Sequence, residues 1–435
     1  MTIALAGGFP EGPPGKWPLR REGTAPPGCQ RAKESRAGSG ADPSGRAAAD
    51  PDAGLCAITQ FDCAILKESF AYIEPLAEKA VAYFYARLFV ASPELRSMFP
   101  LAMDVQRKCF VAALARTVWS MDDPKALAEY LRSLALDHRK FGVRESHYQL
   151  VGETLLATLR KFSGGRWTPR VQSAWQAAFN RVATIMIQAA RDAEDEPAWW
   201  LGEVVSHERR RRDLAVLTIR TDPAQPLRYR PGQYLNVQVT RWPGVWRKYS
   251  IANAPRPDGS VDLHVRAVPA GRVSRALVRE TWPGDTVVLG PALGTMIVDD
   301  GSARDLLCVA GGTGLAPIKA IIEGLADATG PRPARSIRLF LGARRREDLY
   351  DLPDLWRLEA ACSSLRVIPA LSHEPGFAGL RGMLPDVVRR HGRWHDSEIF
   401  VSGPPVMVRR TVRMLAHRTA GEHIHFDPPD ALDAG

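Results

Sequence analysis

The chain has 435 residues, of which 45% are hydrophobic and 24% are charged, and its formal net charge is +10. At about 150 residues per domain, this length predicts about three domains with ordinary globular cores and excludes a small disulfide-stapled scaffold. No apolar run reaches the roughly 18 to 20 residues of a membrane helix, and the N-terminus lacks a signal-peptide pattern. We therefore expect a cytoplasmic protein without a membrane span.

The six cysteines form no C-x-x-C pair, which is typical of a reduced protein with unpaired thiols. The basic excess raises the question of a nucleic-acid partner. Its densest run, ERRRR over 208–212, comes without interleaved aromatic residues or a recognisable binding motif. We expect no nucleic-acid partner, and interpret the charge as a solvated face or as the surroundings of phosphate-rich cofactors.

Residues 1–54 are rich in glycine and proline and predict a disordered extension. From there to about residue 194 the apolar residues recur three or four apart, which predicts five or six helices. His138 lies on one such apolar face, one turn before Gly142, and His147 opens the next helix, where capping is expected. A lone histidine on an apolar face is usually a core residue, so spacing alone leaves the role of His138 open.

Short alternating runs over about 200–300, separated by Pro-Gly and Asp-Gly turns, predict a small antiparallel barrel. Two of its motifs suit a phosphate-bearing, planar ligand. RKYS (247–250) joins a cation, an aromatic ring and a hydroxyl, and GRVS (271–274) opens a helix whose N–H groups could face a pyrophosphate. The alternative is an ordinary strand and glycine turn.

Over about 302–430, strands and helices alternate, which predicts a parallel sheet with helices on its faces. The turn VAGGTGLAP (309–317) places glycines between a strand and a helix, where a backbone approaches a phosphate. Pro317 stands where a full G-x-G-x-x-G motif has its third glycine, so a purely structural turn stays open. A second loop, VSGPP (401–405), follows a later strand and is expected at the same sheet edge.

Five motifs occur in one order along the chain: YRPGQY (229–234), RKYS, GRVS, AGGTGLAP (310–317) and SGPP (402–405). In this order they resemble the ferredoxin-reductase-like family over about residues 200–427. The resemblance implies FAD in the barrel and NAD(P)H in the α/β domain. The residues that it assigns to the flavin and its phosphates are Arg247, Tyr249, Ser250, Gly271, Val273 and Ser274. Those that it assigns to the nicotinamide dinucleotide are Gly311, Gly312, Thr313, Gly314, Pro317, Ser402, Gly403 and Pro404.

The helical stretch resembles bacterial haemoglobins of the flavohaemoglobin type, which fuse a globin to such a reductase. The resemblance is carried by FYARLFVASPELRSMF (84–99), VQRKCF (105–110), LALDHRKFGVRESHYQLVGETLLATL (134–159) and Trp175. It implies haem b with His138 as the proximal iron ligand and Phe99 packed on the haem. It also implies that Tyr85 and Gln106 form the distal polar pair at bound oxygen, and that Tyr148 is the proximal-side tyrosine.

Several positions depart from the family pattern. Ala190 stands near the place of a proximal glutamate, Asp137 where lysine is usual, and Ser402 where cysteine is common. The C-terminal HFDPPD replaces a Glu-Cys-Phe ending. We expect Asp427 in the place of the acid, while the terminal aromatic that covers the flavin is either absent or supplied by Phe426. This tail is closer to the reductase partners of oxygenases.

The cofactor preference rests on the cluster Arg344 to Arg346, which follows the second strand of the α/β domain, where the cofactor ribose is expected. A cation there suits a 2′-phosphate, and no carboxylate at the strand end selects a ribose hydroxyl. This favours acceptance of NADPH beside NADH. The alternative is a solvated basic loop.

Together these features predict a disordered extension (1–54), an all-α globin (55–194), an antiparallel FAD barrel (200–300) and an α/β nucleotide domain (302–430). The activity implied is an NAD(P)H-dependent nitric oxide dioxygenase that acts as a monomer on O₂ and NO and detoxifies NO. Two alternatives stay open. One is a flavin reductase whose haem serves another oxidation, and the other is an oxygen or NO sensor, or a carrier, with a built-in reductase.

Overall fold

The computed structural model describes residues 60–100, 102–326, 335–417 and 419–427. The predicted disordered extension, 1–54, lies outside the described residues. Three structural units follow one another along the chain: helical, antiparallel and α/β. This order confirms the predicted fold class.

Six helices form the first unit. They are α1 (Gln60–Ile73), α2 (Ala77–Ala91), α3 (Asp104–Trp119), α4 (Pro124–Arg139), α5 (Glu145–Ser163) and α6 (Pro169–Asp192). Helices α4 and α6 each begin with proline, and each has a capping side chain just before it. The Asp123 carboxylate accepts a hydrogen bond from the Ala126 N–H at 3.0 Å, and the Thr168 hydroxyl accepts one from the Val171 N–H at 3.3 Å.

The second unit is a six-stranded antiparallel sheet with one helix. Its strands are β1 (Trp200–Arg211), β2 (Leu214–Thr221), β3 (Tyr234–Val239), β4 (Arg247–Ser250), β5 (Ser260–Arg266) and β6 (Thr286–Leu289). Their order in the sheet is β4-β3-β6-β1-β2-β5, and a bridge between Ile251 and Leu263 brings the two edge strands together. This near-closure makes the sheet a small barrel. Helix α7 (Arg272–Arg279) packs against it.

The third unit is a parallel sheet in the order β10-β9-β8-β7-β11-β12. Its strands are β7 (Asp305–Gly311), β8 (Ile337–Ala343), β9 (Leu365–Leu371), β10 (Leu380–Arg381), β11 (Ser397–Ser402) and β12 (Ile424–His425). The helices are α8 (Leu315–Ala326), α9 (Leu352–Ala361), α10 (Leu384–His391) and α11 (Pro405–Leu415). Strands β7 and β11 are neighbours, so the loops after them share one edge of the sheet.

The basic run ERRRR falls mostly on β1, the longest strand of the barrel. Two of its arginines reach carboxylates of the α/β unit: Arg210 contacts Asp354 at 3.0 Å, and Arg211 forms an ion pair with Asp348. The interpretation as a wholly solvated face is therefore wrong for these two side chains. They lie between the barrel and the nucleotide unit instead.

Two further expectations can be compared with the structure. Across the described residues, no helix combines the length and apolarity that a membrane crossing requires. The cysteines in the described part of the chain, Cys63, Cys109, Cys308 and Cys362, are all free thiols.

Candidate functional site

His138 lies in the last turn of α4, on the face that also carries the buried Leu131 and Ala135. Its Nδ1 is 2.7 Å from the Leu134 carbonyl oxygen. That contact places the ring hydrogen on Nδ1 and leaves Nε2 with its lone pair, as an iron ligand requires. Desolvation lowers the pKa of His138 against the opposing effect of Asp137, which favours the neutral imidazole.

Tyr85 and Gln106 lie on different helices, α2 and α3, and meet side chain to side chain. The Gln106 amide donates a hydrogen bond to the Tyr85 hydroxyl at 3.2 Å. Because the phenol oxygen accepts this bond, its own hydrogen remains available to a ligand. Burial raises the pKa of Tyr85 to about 12, so the hydroxyl stays a neutral donor at physiological pH.

Aromatic rings surround Tyr85, which is only 3% exposed. The ring centroids of Phe99 and Phe110 lie 5.4 and 5.7 Å from that of Tyr85, both edge-on. Phe99 and Tyr148 are only partly buried, and both pack against the same apolar cluster as Tyr85. Burial also raises the pKa of Tyr148. The helical unit thus places a phenol donor among apolar rings.

Ala190, expected near the place of the family's proximal glutamate, lies in the last turn of α6. The nearby Asp192 is occupied elsewhere, since it accepts a hydrogen bond from Gln188 at 2.6 Å. The acceptor at His138 Nδ1 is therefore the Leu134 carbonyl and not a carboxylate. His147 caps α5, as expected: its Nδ1 accepts a hydrogen bond from the Arg144 N–H at 3.2 Å.

In the barrel, RKYS forms all of β4, and each of its residues is half-buried. Arg247 donates a hydrogen bond to the Trp246 carbonyl at 2.8 Å, and burial raises the pKa of Tyr249. Strand β4 pairs with β3, where Ser250 lies opposite Tyr234. A cation, a ring and a hydroxyl are thereby presented along one short edge strand.

GRVS lies at the start of α7. The Ser274 hydroxyl accepts a hydrogen bond from the Val268 N–H at 3.2 Å, which closes the loop before the helix, while Val273 is buried. A Cβ on Gly271 would lie 2.4 Å from both Ser274 Oγ and Val268 Cγ2. Because glycine has no Cβ, the turn can lie this close to the N-terminus of α7.

The two glycine loops of the α/β unit touch each other. A Cβ on Gly314 would lie 2.4 Å from backbone atoms of Gly403, which follows Ser402 at the end of β11. Gly403 has a φ of 145° and Gly312 a φ of 57°, conformations that favour glycine. The turn after β7 and the SGPP loop thus form one continuous backbone surface at the carboxyl edge of the sheet, where open α/β folds bind ligands.

The remaining predicted residues lie around this surface. Gly311 ends β7 beside Pro404, with 3.1 Å between a Cβ on Gly311 and the proline Cδ. Thr313 is half-buried in the turn, and Pro317 is buried in the first turn of α8. Phe426 packs against a separate apolar cluster of the α/β unit.

Lys248 and Arg266 have no role assigned from the sequence, whereas Asp427 was expected in the place of the acid of the C-terminal ending. Lys248 is in RKYS, and the pKa of Asp427 is raised by burial to about 6 against the opposing effect of Lys248, so the two side chains are near neighbours. Arg266 ends β5, and its Nη1 lies 3.9 Å from the position of a Cβ on Gly312. No sequence signal identifies Arg266, because it comes from a different unit than the glycine turn that it faces.

Three family comparisons divide the chain in the same order. Residues 82–186 match Globin, residues 202–297 match the Oxidoreductase FAD-binding domain, and residues 308–413 match the Oxidoreductase NAD-binding domain. A flavohemoprotein of Bordetella pertussis is 28% identical over 392 residues, which are 84% of this chain and 96% of that protein. The chain thus has a globin followed by FAD-binding and NAD-binding oxidoreductase domains, the domain order of the flavohaemoglobin family, and it is similar to a flavohemoprotein over most of its length.

Other similar proteins divide between the whole flavohaemoglobin architecture and its reductase half. A flavohemoglobin structure from Malassezia yamatoensis, with bound FAD and heme, covers 85% of this chain and 99% of its own, with a TM-score of 0.72 and 16% identity, which supports the fold alone. The ferredoxin--NAD(P)(+) reductase component of naphthalene 1,2-dioxygenase/salicylate 5-hydroxylase systems from Ralstonia sp is 32% identical over 261 residues. These are 58% of this chain and 76% of that protein.

The Globin, FAD-binding and NAD-binding matches give the cofactors as haem, FAD and a nicotinamide dinucleotide. The donor set fits a haem: His138 offers a free Nε2, and no group of three or more metal-ligating side chains occurs within the described ranges to hold a bare ion instead. The turns at Gly271 and at Gly314 against Gly403 have no room for a Cβ, so that no side chain grows from the backbone there, as the close approach of a phosphate group of FAD or of the dinucleotide requires.

Proposed function

We propose that this protein is an NAD(P)H-dependent nitric oxide dioxygenase and detoxifies NO. Overall, two NO and two O₂ become two nitrate ions while one NAD(P)H is oxidised to NAD(P)⁺ and one proton is released. Bound haem supplies an iron atom that activates O₂ and is returned to the ferrous state by electrons from the flavin. The observation that carries the proposal is the Gln106–Tyr85 hydrogen bond inside an aromatic pocket, on the same chain as a complete reductase.

Tyr85 and Gln106 are assigned to the oxygen side of the haem. With haem bound, the free phenol hydrogen of Tyr85 would be available to donate to oxygen, while Gln106 holds the phenol in place. Such a donor is strongest in a site without water, and the rings of Phe99 and Phe110 exclude water here. Phe99 also packs on the haem face.

His138 is assigned as the iron ligand, and Tyr148 lies on its side of the haem. The Leu134 carbonyl at 2.7 Å orients the imidazole and strengthens its donor atom, though less than a carboxylate would. Without a carboxylate at Ala190, we expect the O₂ complex to react more slowly than in a flavohaemoglobin that has the proximal glutamate.

The reductase residues bind and orient the two other cofactors. Arg247 and Ser250 hold the flavin and its phosphate, Tyr249 covers the ring, and the N–H groups after Gly271 face the pyrophosphate. The joined loops at Gly314 and Gly403 would hold the dinucleotide, which supplies the hydride when bound. Lys248 and Asp427 supply one charge of each sign near the flavin.

NO consumption by the full chain in air tests the proposal. With NAD(P)H present, we expect rapid loss of NO and accumulation of nitrate. Tyr85→Phe removes the donor hydrogen and keeps the ring, so we expect the rate to fall about a hundredfold. Tyr83→Phe is the matched control, because Tyr83 lies on the same helix but contacts Phe162 and Lys161. NO loss that does not depend on NAD(P)H, or that yields no nitrate, contradicts the proposal.

A second candidate is a reductase that serves another oxidation, favoured by the 32% identity to an oxygenase reductase component. For this function we expect fast NAD(P)H oxidation with an added protein acceptor and slow NO loss. A sensor or carrier would instead hold a stable ferrous oxygen complex without continuing NAD(P)H consumption. Together, the rate of NO loss, the rate of NAD(P)H oxidation and the stability of the ferrous oxygen complex distinguish the three functions.

A further inference from the structure

A polar contact joins the end of α4 to the flavin barrel. Asp137, which directly precedes His138, accepts a hydrogen bond from the Asn236 amide at 2.6 Å. The same carboxylate oxygen forms an ion pair with Lys140. Because Asn236 is on β3, this carboxylate is shared between the helical unit and the barrel.

The contact is buried. The Lys140 side chain is 2% exposed, that of Asp137 is 22% exposed, and Asn236 as a whole is 4% exposed. Removing one partner of a buried ion pair leaves the other charge unpaired in a poorly solvated place. The arrangement therefore strongly restricts how the two units can move against each other at this point.

Aromatic side chains continue the contact. The Phe141 ring lies 6.4 Å from that of His138 and 6.5 Å from that of Trp246, edge-on in both cases. Lys140 Nζ lies 4.7 Å from the Phe141 ring centroid and 5.2 Å from that of Trp246, so one ammonium group contacts a ring of each unit.

On the barrel side, the contact meets β3 and its neighbour β4, which carries RKYS. Asn236 pairs with Lys248 across β3 and β4, and Trp246 is held through its carbonyl by Arg247. On the helical side, the contact surrounds His138. A short chain of side chains thus runs from the proposed iron ligand to RKYS.

We propose that Asp137, Lys140, Phe141, Asn236 and Trp246 form an interdomain clamp. The clamp sets the distance and orientation between flavin and haem, and Asp137 is its main positioning residue. Each hydride from NAD(P)H brings two electrons to the flavin and ferric haem accepts one, so two transfers cross the clamp for each NAD(P)H oxidised. The inference rests on the proposed assignment of His138 as iron ligand and does not require NO as the substrate.

The test separates the two electron-transfer steps in the full chain loaded with its cofactors, without O₂ or NO. After mixing with NAD(P)H, flavin bleaching reports hydride transfer, and the haem bands report reduction of the iron. In Asp137→Asn and in Asn236→Ala we expect unchanged flavin reduction and haem reduction about tenfold slower, because a small misplacement of reacting groups has large effects on rate. Asp137→Glu keeps the charge, and we expect it to recover most of the rate.

Hydrogen exchange gives a readout that needs no electron transfer. We expect faster exchange of the amides in 134–141 and 234–239 in both variants. Asp122→Asn is the matched control, because Asp122 also pairs with a lysine, Lys67, but on the surface of the helical unit. The double variant should be no slower than the slower single variant, because both act on one contact.

Haem reduction at the normal rate in Asp137→Asn and Asn236→Ala overturns the inference. Unchanged hydrogen exchange at both segments does so as well. A failed ligand assignment is distinguishable, because the haem bands would then be normal in a variant without His138. A failed dioxygenase proposal is also distinguishable, because it concerns NO, which is absent from this experiment.

Discussion

The helical unit and the α/β unit build their proposed sites in different ways. In the helical unit, side chains from separate helices converge: Gln106 of α3 reaches Tyr85 of α2, and His138 comes from α4. In the α/β unit the proposed site is formed mainly by backbone atoms, because the loops at Gly314 and Gly403 touch and have no room for a Cβ. The first site depends on side-chain identity and the second on the absence of side chains.

This difference predicts opposite responses to substitution. A side-chain site loses its chemistry when one functional group is removed, while the helices that carry it stay folded. A backbone site tolerates no added atom, so that even one methyl group changes its shape. The variants below test this contrast, from the largest expected effect to the smallest.

His138→Ala is expected to have the largest effect, with loss of haem from the purified chain. The Soret band should disappear, because the imidazole assigned to the iron is removed. Flavin content and NAD(P)H oxidation with an artificial acceptor should stay normal, because the reductase lies in other units. His147→Ala is the control, since that ring caps α5. A normal Soret band in His138→Ala would disprove the ligand assignment.

Gly314→Ala should selectively damage the dinucleotide site. The new Cβ would lie 2.4 Å from Gly403 backbone, so the two loops must separate. We expect reduction of the flavin by NAD(P)H to slow by about ten- to a hundredfold, given what small misplacements do to reaction rates. FAD and haem content should remain normal. Gly376→Ala is the matched control, because a Cβ there meets nothing within 4 Å. Equal rates in the two variants would contradict the backbone description of the site.

Arg344→Gln tests the preference between NADPH and NADH, which we expect a side chain of the α/β unit to determine. Arg344 is exposed just after β8, at the expected place of the cofactor ribose. We expect a severalfold loss of kcat/KM for NADPH, because a charge-assisted bond to the 2′-phosphate is removed, and little change for NADH. Arg393→Gln removes an exposed arginine elsewhere in the unit as a control. Equal losses for both cofactors would show that Arg344 does not contact the 2′-phosphate.

The same contrast explains which features could be predicted from the sequence. The glycine turns and RKYS are contiguous, so their strand and helix context could be predicted from local pattern. The pairing of Gln106 with Tyr85 depends on how two helices pack, and only family resemblance predicted it. Spacing was also an imperfect guide to burial: Ala86, three residues before Phe89 on α2, is exposed, while Val81 on the same helix is buried.

Contacts between units were harder still to predict. Asp137 was recognised only as a departure from the family pattern, because its partner Asn236 lies far along the chain on a strand with no motif of its own. Arg210 and Arg211 belong to a charge run that spacing assigned to solvent or cofactors, yet their carboxylate partners are on the α/β unit. Local patterns do not contain such pairings.

Asp427→Asn is expected to have the smallest effect, which depends on pH. Burial raises the pKa of Asp427 to about 6, above its ordinary value of 3.8. The folded chain therefore holds this proton more tightly than the unfolded chain, and the contribution of Asp427 to stability falls as pH rises from about 4 to about 6. Asparagine does not titrate, so the variant should match the parent near pH 4 and unfold a few degrees higher at pH 7.

Thermal unfolding of the two chains at several pH values measures this difference directly. Asp351, whose pKa is also raised to about 6 by burial, is present in both chains, so its titration cancels in the comparison. A difference that grows between pH 4 and pH 6 and is then constant would place a buried, unpaired carboxylate beside Lys248. A variant that is less stable than the parent from pH 4 to pH 7 would mean that Asp427 is ionised and paired in the folded chain. In that case a side-chain ion pair would also contribute to the flavin site. Only the glycine loops would then differ from the helical unit in depending on backbone.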